Sequence, residues 1–218
     1  GLKLYEKSIV KDLAKIDLKE FELVFVFKGY NFSEETFQLL KSKPIYCYNP
    51  DDPYNYITSN KNIRTLISEY DGYFTYSREI LKTLQKKETT EIYHVPLASD
   101  FSVFKKKLSQ TKKYPISFIG NYDLERETYL KEIREINNLF IFGVNWKRKC
   151  KNVRLQPRFF EPKVNNKFCQ TVQASIVNLN ILRQQNKNSQ NMRTFEIPAC
   201  GGFVLHEFSE EVERLSKD

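Results

Sequence analysis

The chain has 218 residues, of which 40% are hydrophobic and 28% charged, and its 35 Lys and Arg against 27 Asp and Glu leave a net charge of +8. This length suits one large or two small domains, and the composition argues against disorder. The basic surplus suits a phosphate-bearing partner, whether nucleotide, nucleic acid or anionic membrane. No apolar run reaches the roughly 18 residues of a membrane span and no signal-peptide pattern opens the chain, so we expect a cytoplasmic protein with at most peripheral membrane contact.

The cysteines and histidines are too few and too scattered for a metal site or a catalytic triad. No C-x-x-C occurs, and the only histidines are His94 and His206. We therefore expect buried free thiols, no zinc site, and neither Ser-His-Asp nor Cys-His catalysis. The four cysteines are Cys47, Cys150, Cys169 and Cys200.

The first half of the chain alternates between strand and helix patterns. FELVFVF, at 21–27, is typical of a strand buried on both faces. Ser33 and Ser77 stand where helix N-caps are expected. The alternation predicts βαβ units in a parallel sheet with right-handed crossovers. The predicted strands are 21–27, 44–48, 72–76 and 91–97, and the predicted helices are 33–42, 63–70 and 77–87.

A lysine-rich stretch with few apolar residues, 105–115, interrupts this alternation and is interpreted as an interdomain linker. It divides the chain into predicted domains at 1–108 and 109–218. After it the alternation resumes, except that 146–167 is basic and irregular. In the helix predicted at 124–136, one apolar stripe is formed by Tyr129, Leu130, Ile133 and Ile136. The predicted strands are 115–120, 139–143, 175–182 and 203–207, and the other helices are 192–200 and 209–217.

Glycines and polar residues stand at the predicted strand ends. In open parallel sheets, ligands bind at the carboxyl ends of the strands, where the strand order reverses. That rule selects Gly120 and Asn121, Gly143, the loop after Tyr48 and the turn before Glu196. A glycine at a strand end lets the next helix present its amide groups to a phosphate, but a tight turn needs a glycine equally. No G-x-G-x-x-G or Walker sequence is present.

Three arginines lie close to these strand ends. Arg126 follows Gly120 by six residues, where its guanidinium would neutralise a diphosphate or pair with a neighbouring glutamate. Arg183 follows a predicted strand, and Arg193 shares a helical face with Glu196. The latter two form either a structural ion pair or a nucleotide site, in which the carboxylate accepts the ribose hydroxyls and the arginine approaches a phosphate.

Several stretches of the chain carry a family pattern. The most specific is ASIVNLNILRQQNKNSQNMRTFEIPACGGFVLHEFSEE, and YPISFIGNYDLERETYL and FIFGVNW precede it. YNPDDPYN, YDGYFTYS and YHVPLASDFSVF add matches in the first half. Together, from about Phe21 to Glu211, they resemble the CgeB-like spore-protein glycosyltransferases, relatives of the GT-B sugar transferases.

The resemblance implies a GT-B fold, in which two Rossmann-like parallel-sheet domains face a cleft. The C-terminal domain would hold a nucleotide-diphosphate sugar and the N-terminal domain an acceptor, whether glycan, protein or small molecule. It also implies no metal and no cofactor besides this co-substrate, because GT-B enzymes generally balance the diphosphate charge with basic side chains and helix dipoles. Glu196 matches the ribose-binding second glutamate of the paired-glutamate motif, and Arg126 matches the diphosphate-binding lysine. The predicted donor-binding residues are Gly120, Asn121, Arg126, Gly143, Arg183, Arg193 and Glu196.

The chain departs from this family pattern at three points. The first glutamate of the pair falls at Asn188, which is not acidic. Asn121 follows Gly120 where many retaining relatives have a basic side chain. GT-B enzymes are longer and open with a glycine-rich βα unit, so both domains are expected to be incomplete here. The donor sugar and the stereochemical course stay open for these reasons.

The candidate catalytic groups lie in the first half. Asp51 and Asp52 follow a predicted strand, where they would face the acceptor or simply form a turn before a proline. His94 is expected to have a hinge role or a packing role, and His206 to lie on a buried strand. Asp100 is expected to cap a helix.

Three functions are consistent with these observations. The first is a metal-independent glycosyltransferase that uses a nucleotide-diphosphate sugar. The second is a non-catalytic binding or structural protein that retains the same fold, as Asn188 would allow. The third, a nucleic-acid-binding module, rests only on the charge of +8 and the abundant aromatic residues. No RNA- or DNA-binding motif appears, so no nucleic-acid partner is expected.

Overall fold

The computed structural model describes residues 2–106 and 111–216. The chain divides into two compact units, Gly1–Pro96 and Leu97–Asp218, and each contains one parallel sheet. The division therefore lies earlier in the chain than the predicted boundary at 108/109. Part of the predicted linker, residues 107–110, lies outside the described residues.

The segment that follows Pro96 belongs to the second unit and packs against its core. The thiol of Cys169 donates to the carbonyl of Val103 at 3.7 Å, and the side-chain amide of Gln173 donates to the carbonyl of Lys105 at 3.4 Å. Phe104 meets the ring of Phe168 edge to face, with centroids 5.7 Å apart. These contacts attach residues 103–105, at the start of the predicted linker and just before it, to the second core.

The first unit is a four-stranded parallel sheet with the strand order β1-β2-β3-β4. Because each strand pairs with the next one along the chain, right-handed crossovers place the intervening helices on one face. The strands are β1 (Val24–Phe27), β2 (Ile45–Asn49), β3 (Gly72–Thr75) and β4 (Ile92–His94), and the helices are α1 (Leu2–Leu13), α2 (Glu34–Leu40), α3 (Lys61–Thr65) and α4 (Arg78–Gln85).

Side-chain caps begin three helices of the first unit. The hydroxyl of Ser33 accepts the amide of Thr36 at the start of α2, and the hydroxyl of Ser77 accepts the amide of Ile80 at the start of α4. Both caps confirm the predicted ones. Asn60 caps α3, which ends at Thr65 and is followed by a short 3₁₀ turn, so the helix predicted at 63–70 is in fact two pieces.

The prediction that 21–27 is a strand buried on both faces is wrong. Only Val26 of β1 is buried, whereas Phe25 and Phe27 are 58% and 66% exposed. The reason is topological: β1 is an edge strand, and its alternate side chains point to the face that the described crossover helices leave open. An apolar run does not reveal how many neighbours a strand will have.

The second unit is a five-stranded parallel sheet with the order β7-β6-β5-β8-β9. From β5 the chain moves outward through β6 to β7, then returns to β8 and moves the other way to β9. Its strands are β5 (Tyr114–Ile119), β6 (Leu139–Phe142), β7 (Phe159–Phe160), β8 (Ser175–Asn180) and β9 (Val204–His206), and its helices are α5 (Leu124–Leu130), α6 (Trp146–Lys149), α7 (Asn165–Gln173), α8 (Met192–Ala199) and α9 (Glu210–Leu215).

Two core clusters cover the two faces of this second sheet. Phe118 and Ile141 belong to one cluster, and the residues that follow them, Ile119 and Phe142, belong to the other. This assignment is the alternation expected of strands that are covered on both sides. Trp146 is buried in the first cluster.

Three further expectations for the second unit differ from the structure. The helix predicted at 124–136 ends at Leu130, after which tighter turns still let Ile133 pack against the core. Tyr129 is largely exposed rather than part of an apolar stripe. The strand that carries His206 is not buried, because β9 is the edge of its sheet.

All four cysteines are buried free thiols, as predicted. Burial raises the pKa of Cys47 to about 12 and that of Cys150 to about 11. In the part of the chain that the structure describes, no helix combines the length and apolar character needed to cross a bilayer.

Candidate functional site

The strand order of the second unit defines a switch point. Strands β5 and β8 are neighbours, yet β5 leads to β6 on one side and β8 leads to β9 on the other. The carboxyl ends of β5 and β8 are therefore where a parallel α/β sheet offers a ligand site. Gly120 follows β5, and Ile181 follows β8.

The glycines at this edge pack against each other. The indole N–H of Trp146 donates to the carbonyl of Gly120 at 2.8 Å. A Cβ built on Gly143 would lie 2.0 Å from that same carbonyl oxygen, so the two loops approach too closely for a side chain. Asn121 joins them further, because its side-chain oxygen accepts the amide of Val144. These contacts support the tight-turn interpretation of Gly143.

The start of α5 differs from the phosphate-binding helix start that the sequence suggested. Asp123 caps this seven-residue helix by accepting the amide of Glu125, and Glu127 adds a further acid to its first turn. Negative charge already occupies the positive end of the helix dipole. Any phosphate at this edge would have to rely on arginines rather than on this helix.

Arg126 is buried and points toward the end of β8. Its Nε and Nη2 both donate to the carbonyl of Ile181 at 3.1 Å, and its Nη1 donates to the carbonyl of Asn121 at 3.2 Å. Burial, and after it the nearby charge of Arg183, lower the pKa of Arg126 to about 10, so it stays protonated at neutral pH. The side chain therefore joins the two strand ends, a contact that its spacing did not predict.

Two further guanidinium groups lie near enough to Arg126 at this edge to act on its charge. The charges of Arg183 and Arg193 both disfavour the protonated form of Arg126, whereas Asp123 and Glu207 favour it. Arg183 lies 4.0 Å from Asp123, and its buried Nε forms no hydrogen bond within the described structure. We call Arg126, Arg183 and Arg193 the arginine cluster.

Arg193 and Glu196 form an ion pair on α8, as their spacing predicted. Glu196 is only 6% exposed, so this is not a solvated surface pair. Arg193 also donates from Nε to the carbonyl of Ile119, the last residue of β5, at 3.2 Å, and its guanidinium lies 4.3 Å from the ring centroid of Phe168. A buried carboxylate and a fixed guanidinium thus meet at the carboxyl end of the central strand.

A network of polar residues, which sequence reasoning did not identify, fixes the start of α8. Asn191 and Thr194 form a capping box, and the amides of Asn180 and Asn191 donate to each other's side-chain oxygens at 3.1 and 2.9 Å. The hydroxyl of Thr194 lies 2.8 Å from Nε2 of His206. An N-cap residue followed three positions later by a polar partner was the available signal.

The paired glycines end α8 with a defined turn. Gly201 has φ +75°, its amide donates to the carbonyl of Pro198, and the amide of Gly202 donates to the carbonyl of Ile197. This pattern is the Schellman motif. A Cβ on Gly202 would lie 2.2 Å from Val172, which confirms that the glycines permit close packing.

Asn188 lies on an exposed turn between β8 and α8. Its φ of +59° places it in the left-handed region, which asparagine tolerates better than most residues. Asn188 therefore has a backbone role at the position where the family pattern has a glutamate.

The candidate acids of the first unit are both engaged. Asp51 forms an ion pair with Lys28, with 2.5 Å between its Oδ2 and the lysine Nζ. Asp52 caps a turn by accepting the backbone amide of Tyr54 at 2.9 Å. Burial, and the neighbouring charge of Asp51, raise the pKa of Asp52 despite that hydrogen bond. Lys28 follows β1 with a left-handed φ of +66° and was not identified from the sequence.

The remaining candidates have local roles. The imidazole Nε2 of His94 lies 3.0 Å from the carbonyl of Tyr76, consistent with packing. Asp100 accepts the amide of Ser102 in a turn, so the prediction that it caps a helix is wrong. Among residues 2–106 and 111–216, no three His, Cys, Asp or Glu side chains are grouped to hold a metal ion.

The comparisons with known proteins concern the same part of the chain. Residues 126–217 match a family described as glycosyl transferase-like. This match begins at Arg126 and includes Arg183, Arg193 and Glu196. No curated protein sequence matches the chain.

Three solved structures are similar over the chain as a whole. A Listeria monocytogenes protein assigned to the UDP-N-acetylglucosamine 2-epimerases has a TM-score of 0.56 at 11% identity, and the similarity covers 99% of this chain and 65% of that one. S. aureus MnaA in complex with UDP has a TM-score of 0.56 at 12% identity, and the similarity covers 100% of this chain and 72% of that one. A UDP-forming α,α-trehalose-phosphate synthase from Burkholderia xenovorans has a TM-score of 0.54 at 9% identity, and the similarity covers 99% of this chain and 69% of that one.

These similarities establish the fold. The chain spans less than two thirds of the length of the Listeria protein. At sequence identities of 9–12%, these similarities show the fold and no more. The solved structures are GT-B proteins, and both units of this chain are parallel-sheet, Rossmann-like domains. The predicted α/β fold of GT-B type is confirmed.

Proposed function

We propose that the chain belongs to a glycosyltransferase that takes its sugar from a nucleotide-diphosphate sugar, and that the second unit binds this donor. The observation that carries the proposal is the Arg193–Glu196 pair at the carboxyl end of β5, in which the carboxylate is buried and the guanidinium is partly exposed. Both residues lie within the segment that matches a glycosyl transferase-like family. A buried carboxylate suits the two hydroxyls of a ribose, because each hydroxyl can donate to one carboxylate oxygen.

The arginine cluster supplies the charge that a diphosphate needs. The charges of Arg183 and Arg193 both disfavour the protonated form of Arg126, and a bound diphosphate would offset that repulsion. The proposal therefore assigns leaving-group stabilisation to these arginines and to no metal ion. Donor binding that persists in the presence of EDTA would support this assignment.

On the acceptor side, Asp52 is the better candidate base of the two acids. Asp51 already forms an ion pair with Lys28, whereas Asp52 is held by a backbone amide. Its raised pKa makes Asp52 a stronger proton acceptor than an ordinary aspartate. Its role would be to accept the proton of an acceptor hydroxyl in the first unit.

Thermal unfolding with UDP, GDP, ADP, CDP and dTDP tests the donor site directly. A nucleotide at 100 times its Kd adds about 2.7 kcal/mol, which raises Tm by roughly 5–10 °C for a domain of this size. Glu196→Gln should abolish a base-selective shift, and Glu210→Gln, an exposed acid on α9 of the same unit, should leave it intact. No shift with any nucleotide, in wild type and both variants, contradicts the proposal.

A second candidate is a nucleotide-sugar-binding protein without transferase activity, and the observation that favours it is Asn188. The position where the family pattern has an acid has instead an asparagine with a backbone role. NMR of the bound donor separates the two candidates. Release or transfer of the sugar identifies an enzyme, whereas an intact donor after saturation binding identifies a binding protein.

A further inference from the structure

The largest local excess of positive charge in the sequence lies in one segment of the second unit. Residues 144–167, which we call the basic segment, contain eight Lys and Arg and one acid, Glu161, for a net charge of 8 − 1 = +7. The whole chain carries +8, so the remaining residues nearly balance. Such segregation marks a surface that faces an anionic partner. The basic residues are Lys147, Arg148, Lys149, Lys151, Arg154, Arg158, Lys163 and Lys167.

Buried anchors hold the basic segment in place. Trp146, Cys150, Leu155 and Phe159 are all part of one core cluster. Most of the side chains between these anchors are exposed. The segment is therefore a fixed part of the folded surface rather than a loose basic tail.

The cations of this surface are exposed and only weakly neutralised. Lys147, Arg148, Lys149 and Lys151 are all exposed, and so is Arg154. Lys147 lies 3.6 Å from Glu161, but both side chains are more than 70% exposed, and such pairs contribute little. The surface keeps its positive charge available to a partner.

Exposed apolar side chains accompany these cations. Val153 is 74% exposed and Val164 is 66% exposed, and Val144 and Phe160 are also exposed. Phe160 stacks against Phe140, with ring centroids 5.3 Å apart, so one of its faces is already covered. The segment offers aliphatic groups between cations, and this combination fits the boundary between lipid headgroups and acyl chains.

We propose that the basic segment docks the second unit onto an anionic membrane surface. The cations would contact lipid phosphates, and the exposed valines would enter the headgroup boundary. A nucleic acid would satisfy the cations equally, but it would gain little from aliphatic side chains because bases bind by stacking on exposed rings. The cations and valines that carry this proposal are residues other than Glu196 and the arginine cluster, so it does not depend on the proposed transferase activity.

Vesicle co-sedimentation tests the proposal with the full chain. Vesicles of phosphatidylcholine with added phosphatidylglycerol should bind the protein, pure phosphatidylcholine vesicles should not, and binding should weaken steeply as salt rises. The test variant replaces Lys147, Arg148, Lys149 and Lys151 with Gln. At about fivefold for each cation lost, its affinity should fall on the order of several hundredfold.

A charge-matched control separates this surface from net charge alone. The control replaces four exposed lysines of the first unit, Lys11, Lys19, Lys61 and Lys86, with Gln and should bind nearly as well as wild type. Val153→Asn should weaken vesicle binding without changing the salt dependence. Circular dichroism confirms that each variant is folded, and the salt titration of the wild type does not depend on any variant.

Three outcomes would overturn the proposal. The first is equal binding to neutral and anionic vesicles, and the second is an equal loss of vesicle affinity in the test and control variants. The third is binding to a single-stranded oligonucleotide that is tighter than binding to vesicles and is lost in the test variant. The last outcome would assign the segment to nucleic acid instead.

Discussion

A Cβ atom added to Gly143 would lie 2.0 Å from the carbonyl oxygen of Gly120, which also accepts the indole N–H of Trp146. The loops that follow β5 and β6 are therefore in contact through backbone atoms, which cannot rotate away as a side chain can. In contrast, a Cβ on Gly120 would meet the end of the Phe118 ring at 2.8 Å, and a side chain can rotate.

This contrast predicts unequal costs for two glycine substitutions. Gly143→Ala should lower the free energy of unfolding by about 3 kcal/mol, and Gly120→Ala by about 1 kcal/mol, because overpacking against backbone forces larger shifts. Urea denaturation measures both. Equal losses would show that the two loops adjust more freely than the structure indicates.

Arg193→Lys is expected to destabilise the second unit even without ligand. Lysine lacks the Nε donor to Ile119 and the planar group that lies over Phe168. A loss of about 2 kcal/mol in urea denaturation is expected. Arg214→Lys, at an exposed position of α9, is the matched control and should change stability by less than about 0.5 kcal/mol.

His206 is expected to make stability depend on pH. Burial lowers the pKa of His206 below its ordinary value of 6.5. The unfolded chain then binds more protons than the folded chain as the pH falls below about 6.5, so stability falls with it. Above that pH the imidazole is neutral in both states, and its contact with Thr194 is fully present.

Chemical denaturation at pH 7.5 and pH 5.5 measures this effect. In His206→Gln, the free energy of unfolding should fall less between pH 7.5 and pH 5.5 than it does in the wild type. His94→Gln retains His206 and should show the same fall as the wild type. A decline of the same size in all three proteins would assign it to other groups.

Asn188 predicts an ordering of three variants. Asn188→Gly should be close to neutral, because glycine adopts φ of +59° readily, whereas Asn188→Ala should cost about 1 kcal/mol. Asn188→Glu should cost about as much as alanine. If the glutamate variant were instead more stable than wild type, the position would have more than a backbone role.

Local patterns predicted most of the secondary structure, and tertiary contacts explain the exceptions. Ser33 and Ser77 cap helices because their hydroxyls satisfy amides three residues away, a relationship visible in sequence. The helix at Asn165–Gln173 was not predicted. It begins after Val164 without a side-chain cap, and it is held by Phe168 and Val172 in a core that forms only on folding.

The candidate site was predictable in part. The Arg193–Glu196 pair followed from helical spacing, since both residues belong to α8. The orientation of Arg126 did not, because its acceptor Ile181 is 55 positions away in sequence. The role of Lys28 likewise depends on Asp51, which the chain brings near only through the pairing of β1 with β2.

The two strand orders also bear on how the chain folds. In the first sheet Val24 pairs with Ile45, a separation of 45 − 24 = 21 residues, whereas the central pair of the second sheet joins Tyr114 to Ser175, a separation of 175 − 114 = 61. Closing the longer loop costs about 1 kcal/mol more in chain entropy. We therefore expect the strands of the first unit to pair one after another early in synthesis. The central pair of the second sheet can form only after β8 has left the ribosome.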